Sequence, residues 1–188
     1  MIPVMLYSQV NLKQTKLSEN VQDSVLGTDV ILKNNEVIFQ KTYKSDLSKI
    51  ELIEKLKVYL PTIKNFQLTE ITNQNDGQFS GKLTDYIVNY RKYGGTLMGT
   101  MTALNYPLVG NAIIQVKDNK YRVTISNFIF KGVKVLSESY DFALDDGLTK
   151  AKRTKIRENL SMLNAMGYLN KELTEMFDLH TTKKIDDF

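Results

Sequence analysis

The residues that could do catalysis are few and are scattered along the chain. The sequence has 188 residues, no cysteine and a single histidine, His180. The lack of cysteine excludes disulfides, zinc–thiolate sites and thiol catalysis, and one imidazole excludes any site that needs two. We interpret His180 as a packed or surface residue and Asp145-Asp146-Gly147 as a turn that leads into a helix. The other aspartates are scattered and form no constellation: Asp85, Asp118 and Asp141. We therefore predict no catalytic, cofactor-binding or metal-binding residue.

Two short stretches resemble functional motifs without matching them. Gly94–Thr100 (GGTLMGT) has the glycine spacing of a phosphate loop, but Thr100 stands where such a loop needs lysine. Lys150–Arg157 (KAKRTKIR) is strongly basic, which is typical of contacts with nucleic acid or anionic lipid. No aromatic residues are interleaved for base stacking, and cations are disfavoured near a helix N-terminus. We therefore predict a flexible loop for the first stretch and a solvated helix face for the second.

The composition is that of an ordinary globular domain. A chain of this length predicts one domain, which can bury roughly 70% of its unfolded surface without disulfides. The net charge of +4 permits contact with polyanions but does not by itself argue for it. No apolar run approaches the ~18 residues of a membrane span.

The clearest structural signal is a hairpin over Asn111–Phe130. Asp118 and Asn119 suit the positive φ of a two-residue turn, and they separate two runs rich in β-branched and aromatic residues. Because side chains alternate along a strand, this turn gives the hairpin one apolar and one polar face. The apolar face pairs Val116 with Tyr121, Ile114 with Val123, and Ala112 with Ile125. The polar face carries Gln115, Lys117, Lys120, Arg122, Thr124 and Ser126, with Ile113 as its apolar exception.

A strand and a helix are predicted well before the hairpin. Glu36–Tyr43 has the alternation of a strand, and Ser45–Ile63 has apolar residues at helical spacing. Ser48 and Glu51 stand at capping-box spacing. Pro61 should distort the last turn of this helix.

Two more strands and a long loop complete the stretch before the hairpin. Phe66–Asn73 and Gln78–Tyr90 are predicted strands, joined by a turn at Asn75-Asp76-Gly77. The apolar pattern of the second strand changes near Asp85, which indicates a bulge. Arg91–Pro107 is expected to be the longest loop in the domain.

The chain after the hairpin is predicted to be mainly helical. Val133–Leu136 reads as strand, and Leu148 onward reads as helix almost to the end. Ile156, Leu160, Leu163 and Met166 would form one stripe of that helix. Gly167 is expected to kink or break it.

These elements predict an α+β two-layer sandwich. Their order is β-α-β-β-β-β-α, which puts both helices on one face of an antiparallel sheet and leaves the other face open. Residues 34–180 would form the single domain, and residues 181–188 a frayed tail. Residues 1–33 would be a signal-peptide remnant, a flexible arm or both. Met1–Ser8 (MIPVMLYS) has the apolar character of the end of a signal peptide, with cleavage between Ser8 and Gln9.

Three stretches resemble a bacterial family of exported domains of unknown function with a TATA-binding-protein-like fold. They are Val37–Tyr43 with the following helix Lys49–Leu60, the turn and strand Asn75–Lys82 (NDGQFSGK), and Val116–Asn127 (VKDNKYRVTISN). The resemblance covers roughly residues 36–180 and implies the same fold. It also implies export, to the periplasm or beyond, with a cytoplasmic location as the alternative. The family has no established activity, so no site residue or cofactor carries over.

The best candidate site is the open sheet face. We predict a non-enzymatic, exported binding or assembly domain whose partner is a protein or a small ligand. A second hypothesis is an enzyme or small-ligand binder with loop 91–107 as a lid over the sheet. A third is a nucleic-acid-binding domain. DNA binding by a TATA-binding protein needs two tandem repeats and apolar wedges, and this chain has one repeat. The candidate binding residues are Lys82, Thr84, Gln115, Lys117, Arg122 and Thr124.

Overall fold

The structure, a computed structural model, describes residues 21–72 and 77–180. The predicted cleavage site after Ser8, most of the predicted turn at Asn75-Asp76-Gly77 and the predicted tail 181–188 lie outside these residues. The strands are β1 Val21–Ser24, β2 Val30–Lys33, β3 Glu36–Lys44, β4 Phe66–Thr72, β5 Gln78–Tyr86, β6 Leu108–Lys117, β7 Lys120–Val135, β8 Glu138–Ala143, β9 Thr149–Lys150 and β10 Lys155–Ile156. The α-helices are α1 Lys49–Tyr59, α2 Leu144–Leu148 and α3 Leu160–Met176.

The main sheet is antiparallel, with strand order β1-β2-β3-β7-β6-β5-β4 and with β8 paired to β7. The predicted hairpin is confirmed as β6–β7, and its register is the predicted one: Val116 lies opposite Tyr121 and Ile114 opposite Val123. The predicted bulge near Asp85 is also confirmed, because the β5–β6 register shifts there and Asp85 has φ 50°.

The sheet begins earlier in the chain than predicted. β1 and β2 form an antiparallel pair at its edge, and β2 pairs with β3. The expectation of a flexible arm is therefore wrong for residues 21–33. Val30 and Leu32 are fully buried, which is the physical reason that residues 21–33 are part of the sheet.

Helices cover one face of the sheet, as predicted. Tyr43 and Tyr121 point from that face and donate hydrogen bonds to backbone carbonyls near the end of α3. Tyr59 of α1 donates to the Met176 carbonyl, so the two long helices also contact each other. The core lies between this helical layer and the sheet. The fold is the predicted α+β sandwich.

The predicted start of α1 is confirmed in detail. The Ser48 side chain accepts from the Glu51 backbone, and the Glu51 carboxylate accepts from the Ser48 backbone N–H at 2.9 Å. The α-helix ends at Tyr59, and a 3-10 turn containing Pro61 follows. Proline lacks the N–H that an α-helical turn requires, so this tightening is its expected effect.

The region after β8 differs from the prediction. Residues 149–156 form the small hairpin β9–β10 instead of helix, and Ala151, Lys152 and Arg153 at its tip all have positive φ. The basic run therefore lies on a hairpin and not on a helix face. Asp145 and Asp146 do enter a short helix, and they bind Arg153 across the turn. These local contacts had no periodic signature in the sequence.

Helix α3 runs without interruption through Gly167. It begins at Asn159, whose side chain accepts from the Ser161 and Met162 backbone N–H groups. The expected break at Gly167 is absent, because buried residues on both sides of it anchor the helix to the core: Ala165, Met166, Leu169 and Leu173.

Strand β7 is long enough to have two partners on one side. Its first part pairs with β3 and its last part pairs with β8. The β7–β8 hairpin turns at Leu136, and every residue from 134 to 141 is exposed. This segment therefore projects from the body of the sheet.

Candidate functional site: a basic basin on the open sheet face

The open face of the sheet carries rows of polar side chains that cross several strands. Thr42 of β3 lies opposite Arg122 of β7, which lies opposite Gln115 of β6, which lies opposite Gln78 of β5. Backbone pairing thus puts four polar residues side by side in one row.

Hydrogen bonds hold this row together. Arg122 donates to the Gln115 side-chain oxygen at 2.9 Å, and the Gln115 amide donates to the Gln78 oxygen at 3.4 Å. The guanidinium has further N–H donors beyond the one that Gln115 accepts. The row therefore orients Arg122 while leaving donors to face an anion.

A shallow basin of about 170 Å³ lies at the β3–β7–β6 end of this face. Its lining residues contribute three cations, one hydroxyl and one amide, and no carboxylate: Thr42, Gln115, Lys117, Lys120 and Arg122.

Like charges lie directly opposite each other beside the basin. Lys117 pairs with Lys120 across the hairpin, and Lys120 pairs with Lys44 across β7 and β3. Neighbouring strands are about 4.8 Å apart, so the three ammonium groups originate from a row roughly 10 Å wide. Directly opposed like charges destabilise a sheet. Within residues 21–72 and 77–180, neither these lysines nor Arg122 forms a salt bridge.

The nearest acidic residue in sequence is engaged elsewhere. Asp118 lies in the turn between Lys117 and Lys120, and its carboxylate accepts from the Lys49 backbone N–H at 2.9 Å. This contact places the carboxylate at the N-terminus of α1, where the helix dipole favours a negative charge. Asp118 is thus directed toward the helix rather than toward the basin.

The structure brings together some of the predicted site residues and separates others. Gln115, Lys117 and Arg122 all line the basin. Thr124 lies one row away, where it accepts from Gln40. Lys82 and Thr84 lie on β5, outside the lining of the basin.

Two basin residues were absent from the predicted site. Lys120 is on the predicted polar face of the hairpin, so strand alternation alone is enough to include it in the predicted site. Thr42 is on β3, and it reaches the basin only because β3 pairs with β7. No local signal reveals that pairing, because the two strands are separated by the whole β4–β6 segment.

The loop 91–107 is on the other side of the sheet. Asn164 of α3 donates to the Gly99 carbonyl at 3.0 Å, and Lys92 forms a salt bridge with Glu175 of α3. The loop therefore packs against the helical layer, and its expected position over the open face is wrong. Thr100, which stands where a phosphate loop has lysine, is buried.

A second polar cluster lies where this loop meets α3. Glu172 is only 7% exposed and accepts a hydrogen bond from the Tyr86 hydroxyl. Burial, and then this hydrogen bond, raise the pKa of Tyr86 above its usual range. The Lys92 ammonium lowers the pKa of Glu175. These contacts hold the loop against α3. The carboxylates of Glu172 and Glu175 therefore bind groups within the chain.

Two features of the described residues bear on function. No group of three or more histidine, aspartate or glutamate side chains there is arranged to hold a metal ion. No helix within those same residues is long and apolar enough to cross a membrane.

Comparison with known proteins gives a family and a fold. Residues 19–131, more than half of the chain, match the family model described as a domain of unknown function (DUF4468) with TBP-like fold. A TBP-like protein from Parabacteroides distasonis is similar in structure, with a TM-score of 0.53, 13% identity, and coverage of 80% of this chain and 96% of that one. A DUF4468 family protein from Bacteroides ovatus gives a TM-score of 0.52 and 13% identity over 80% and 88%. No curated protein matches the sequence significantly.

Proposed function

We propose that this chain, which belongs to the DUF4468 family with its TBP-like fold, is a binding module whose open sheet face holds an acidic protein partner. The family itself assigns no activity. The observation that carries this proposal is the basin itself. Three cations converge there, and no carboxylate lines it. We predict that an acidic side chain of the partner occupies the basin.

The size of the basin favours a single anchored group over a whole small ligand. Small-molecule sites usually enclose about 300–1,000 Å³. The basin has about 170 Å³ and opens onto a flat polar face. A carboxylate that projects from a larger partner fits this shape, whereas a free metabolite would leave most of its surface in water.

The charge arrangement explains why an acidic partner would be favoured. The opposed lysines 44, 120 and 117 repel each other in the free protein. An anion bound among them removes that repulsion and also accepts hydrogen bonds from Arg122. Arginine gives the directional part of such recognition, because its planar fork matches a carboxylate.

A protein partner is favoured over nucleic acid by what the open face lacks. On β3, β6, β7 and residues 78–84 of β5, none of the side chains on this face is aromatic. Binding of single-stranded nucleic acid relies on aromatic stacking, which this part of the face does not offer.

Titration with a glutamate-rich peptide tests the proposal. The double variant Lys117→Glu with Arg122→Glu should bind at least about tenfold more weakly than the native chain, because both cations would become repulsive. Binding by the native chain should weaken with added salt, since the contact is exposed.

A matched control separates the basin from net charge. Lys55→Glu with Lys64→Glu changes the net charge by the same amount at exposed positions away from the basin. This control should retain peptide binding. Equal loss in both double variants would reduce the effect to bulk charge and contradict the proposal, as would a tighter complex with an oligonucleotide of similar length.

We also propose that the protein is exported, on the basis of the apolar run Met1–Ser8, which has the character of the end of a signal peptide. The test is mass spectrometry of the protein recovered from its native host. A mature chain that begins at Gln9 is the expected result. Recovery of the chain with Met1 in the cytoplasmic fraction would contradict export.

A further inference from the structure

A second surface lies on the helical side of the molecule. A groove of about 340 Å³ runs between the β1–β2 turn and one side of α3. Its walls are largely apolar, with Leu26 from the turn and Leu163 and Tyr168 from the helix. Leu26 is 97% exposed, and Lys171 lies at the end of the groove on α3. Its volume lies at the lower end of the ~300–1,000 Å³ that binding pockets usually enclose.

Gly167 lines this groove and leaves this part of the α3 surface without a side chain. A Cβ at this position would meet no heavy atom within 4 Å. Packing within the chain therefore does not require glycine there. Glycine inside a helix also lowers stability relative to alanine. Gly167 thus lowers helix stability and has no packing role inside the chain. A second molecule that uses the space beside it would account for a glycine at this position.

The same chain carries an exposed apolar projection. Leu136, at the tip of the β7–β8 hairpin, is 100% exposed, and Val135 and Tyr140 beside it are about half exposed. Leu136 has φ 56°, a conformation that disfavours leucine and suits asparagine. This position thus keeps a large apolar side chain where both solvation and backbone favour a small polar one.

We propose that the hairpin tip of one copy of this chain inserts into the α3 groove of a second copy. Because knob and groove are different surfaces, the contact is heterologous, and repetition of it makes a ring or an open chain of molecules. The full exposure of Leu136 shows that the tip does not occupy the groove of its own molecule.

Three observations favour a second copy as the occupant. Both halves of the contact are present in every molecule, so any solution of the protein contains them in equal number. The knob is formed by Val135 and Leu136, which are apolar like Leu26, Leu163 and the ring of Tyr168 in the groove. Glu138 follows the tip, and Lys171 lines the groove while its ammonium lies 5.4 Å from the Tyr93 ring centroid, so opposite charges flank the apolar contact. A contact built from one hairpin tip is small, so the association should be weak.

Two single variants test the knob and the groove without threatening the fold. Leu136→Asn removes the knob and suits the positive φ of the turn. Gly167→Leu fills the groove and improves helix propensity, with no atom nearby for its Cβ to strike. In sedimentation equilibrium up to millimolar concentration, the native chain should associate. Each variant should associate at least about tenfold more weakly while retaining the native thermal midpoint or exceeding it.

Mixing the two variants tests the head-to-tail geometry. Gly167→Leu still has its knob and Leu136→Asn still has its groove, so the mixture should form a one-to-one dimer that grows no further. Ile50→Gln, which alters an exposed apolar residue on α1, is the control and should associate like the native chain. A native chain that stays monomeric throughout would overturn the proposal. Normal association of the Leu136→Asn variant would also overturn it, as would a mixture of the two variants that forms no heterodimer.

Discussion

At the level of single residues, two glycines show opposite uses of a missing side chain. Gly81 lies in β5, where a Cβ would come within 2.8 Å of the Gln67 carbonyl oxygen and still closer to the Phe66 ring. Gly167 has nothing near its Cβ position. The first is needed for packing of the edge strand β4, and the second leaves space at the surface.

Replacing each glycine by alanine should therefore change stability in opposite directions. Gly81→Ala should lower the free energy of unfolding by about 1–3 kcal/mol, because it overpacks a contact with backbone. Gly167→Ala should raise it by about 0.5–1 kcal/mol, because it removes a glycine from a helix interior. Denaturant unfolding of the three proteins measures both changes. A loss of stability in both variants would mean that α3 depends on Gly167 in a way that its open surroundings do not show.

Single residues were predicted well where strand alternation decides them. Gln115, Lys117 and Arg122 were placed on the open face by counting from the Asp118-Asn119 turn, and they line the basin. Thr42 was missed, because its position depends on a pairing between distant strands. Local alternation reports which face a side chain is on, but not which strand lies beside it.

At the level of elements, helix α1 owes its start to the capping box at Ser48 and Glu51. The Ser48 side chain and then its backbone N–H hydrogen-bond the Glu51 carboxylate, and they lower its pKa. A carboxylate with a lowered pKa in the folded state stabilises the fold at pH values above the pKa that it has when unfolded. That contribution is lost as the pH falls through the lower folded value.

Ser48→Ala should lower the free energy of unfolding by about 1 kcal/mol at neutral pH. The difference from the native chain should narrow as the pH falls below the usual range of a glutamate, because Glu51 then becomes protonated in both proteins. Unfolding curves measured at several pH values give this comparison. Ser137→Ala, in the exposed β7–β8 turn, is the control and should change little. A deficit that stayed constant down to the lowest pH would exclude Glu51 from the cap.

Elements with strong local signals were predicted, and those made by tertiary contacts were not. The capping box, Pro61 and the β6–β7 turn each act within a few residues, so the sequence alone identifies them. The hairpin at residues 149–156 contains three consecutive positive φ values on residues other than glycine. Its strands are held by the Asp23 carboxylate, which accepts from the Ile156 backbone at 2.8 Å, and by Arg153 on Asp145 and Asp146. Ile156 also fits the apolar stripe of the helix that follows, and this favoured a helix here.

At the level of the whole molecule, the structural core extends beyond the part that matches the family model. The match ends at residue 131, yet α3 begins at residue 160 and fills the helical side of the core. Four large side chains of this region are almost fully buried: Met166, Leu169, Leu173 and Phe177. At about 1.5–3 kcal/mol each, their burial is comparable with the ~5–15 kcal/mol that stabilises a whole domain.

Truncation tests whether the predicted domain, residues 34–180, has the right C-terminal boundary. A chain that ends at residue 158 should lose cooperative unfolding, because the helical side of the sheet is then exposed to water. A chain that ends at His180 removes only residues 181–188 and should keep the native midpoint. Circular dichroism during thermal unfolding distinguishes the two. A cooperative transition in the shorter chain would show that α3 is an addition to a core that is already complete.

The pair formed by Tyr43 and Tyr121 gives the molecule an internal optical reporter. The two rings are stacked at 4.8 Å and nearly parallel, and both hydroxyls reach the end of α3. The chain has no tryptophan, so no stronger chromophore masks tyrosine absorption and emission. The ultraviolet spectrum of the unlabelled protein therefore comes from its ten tyrosines and eight phenylalanines, and the part contributed by this ring pair depends on α3 remaining docked.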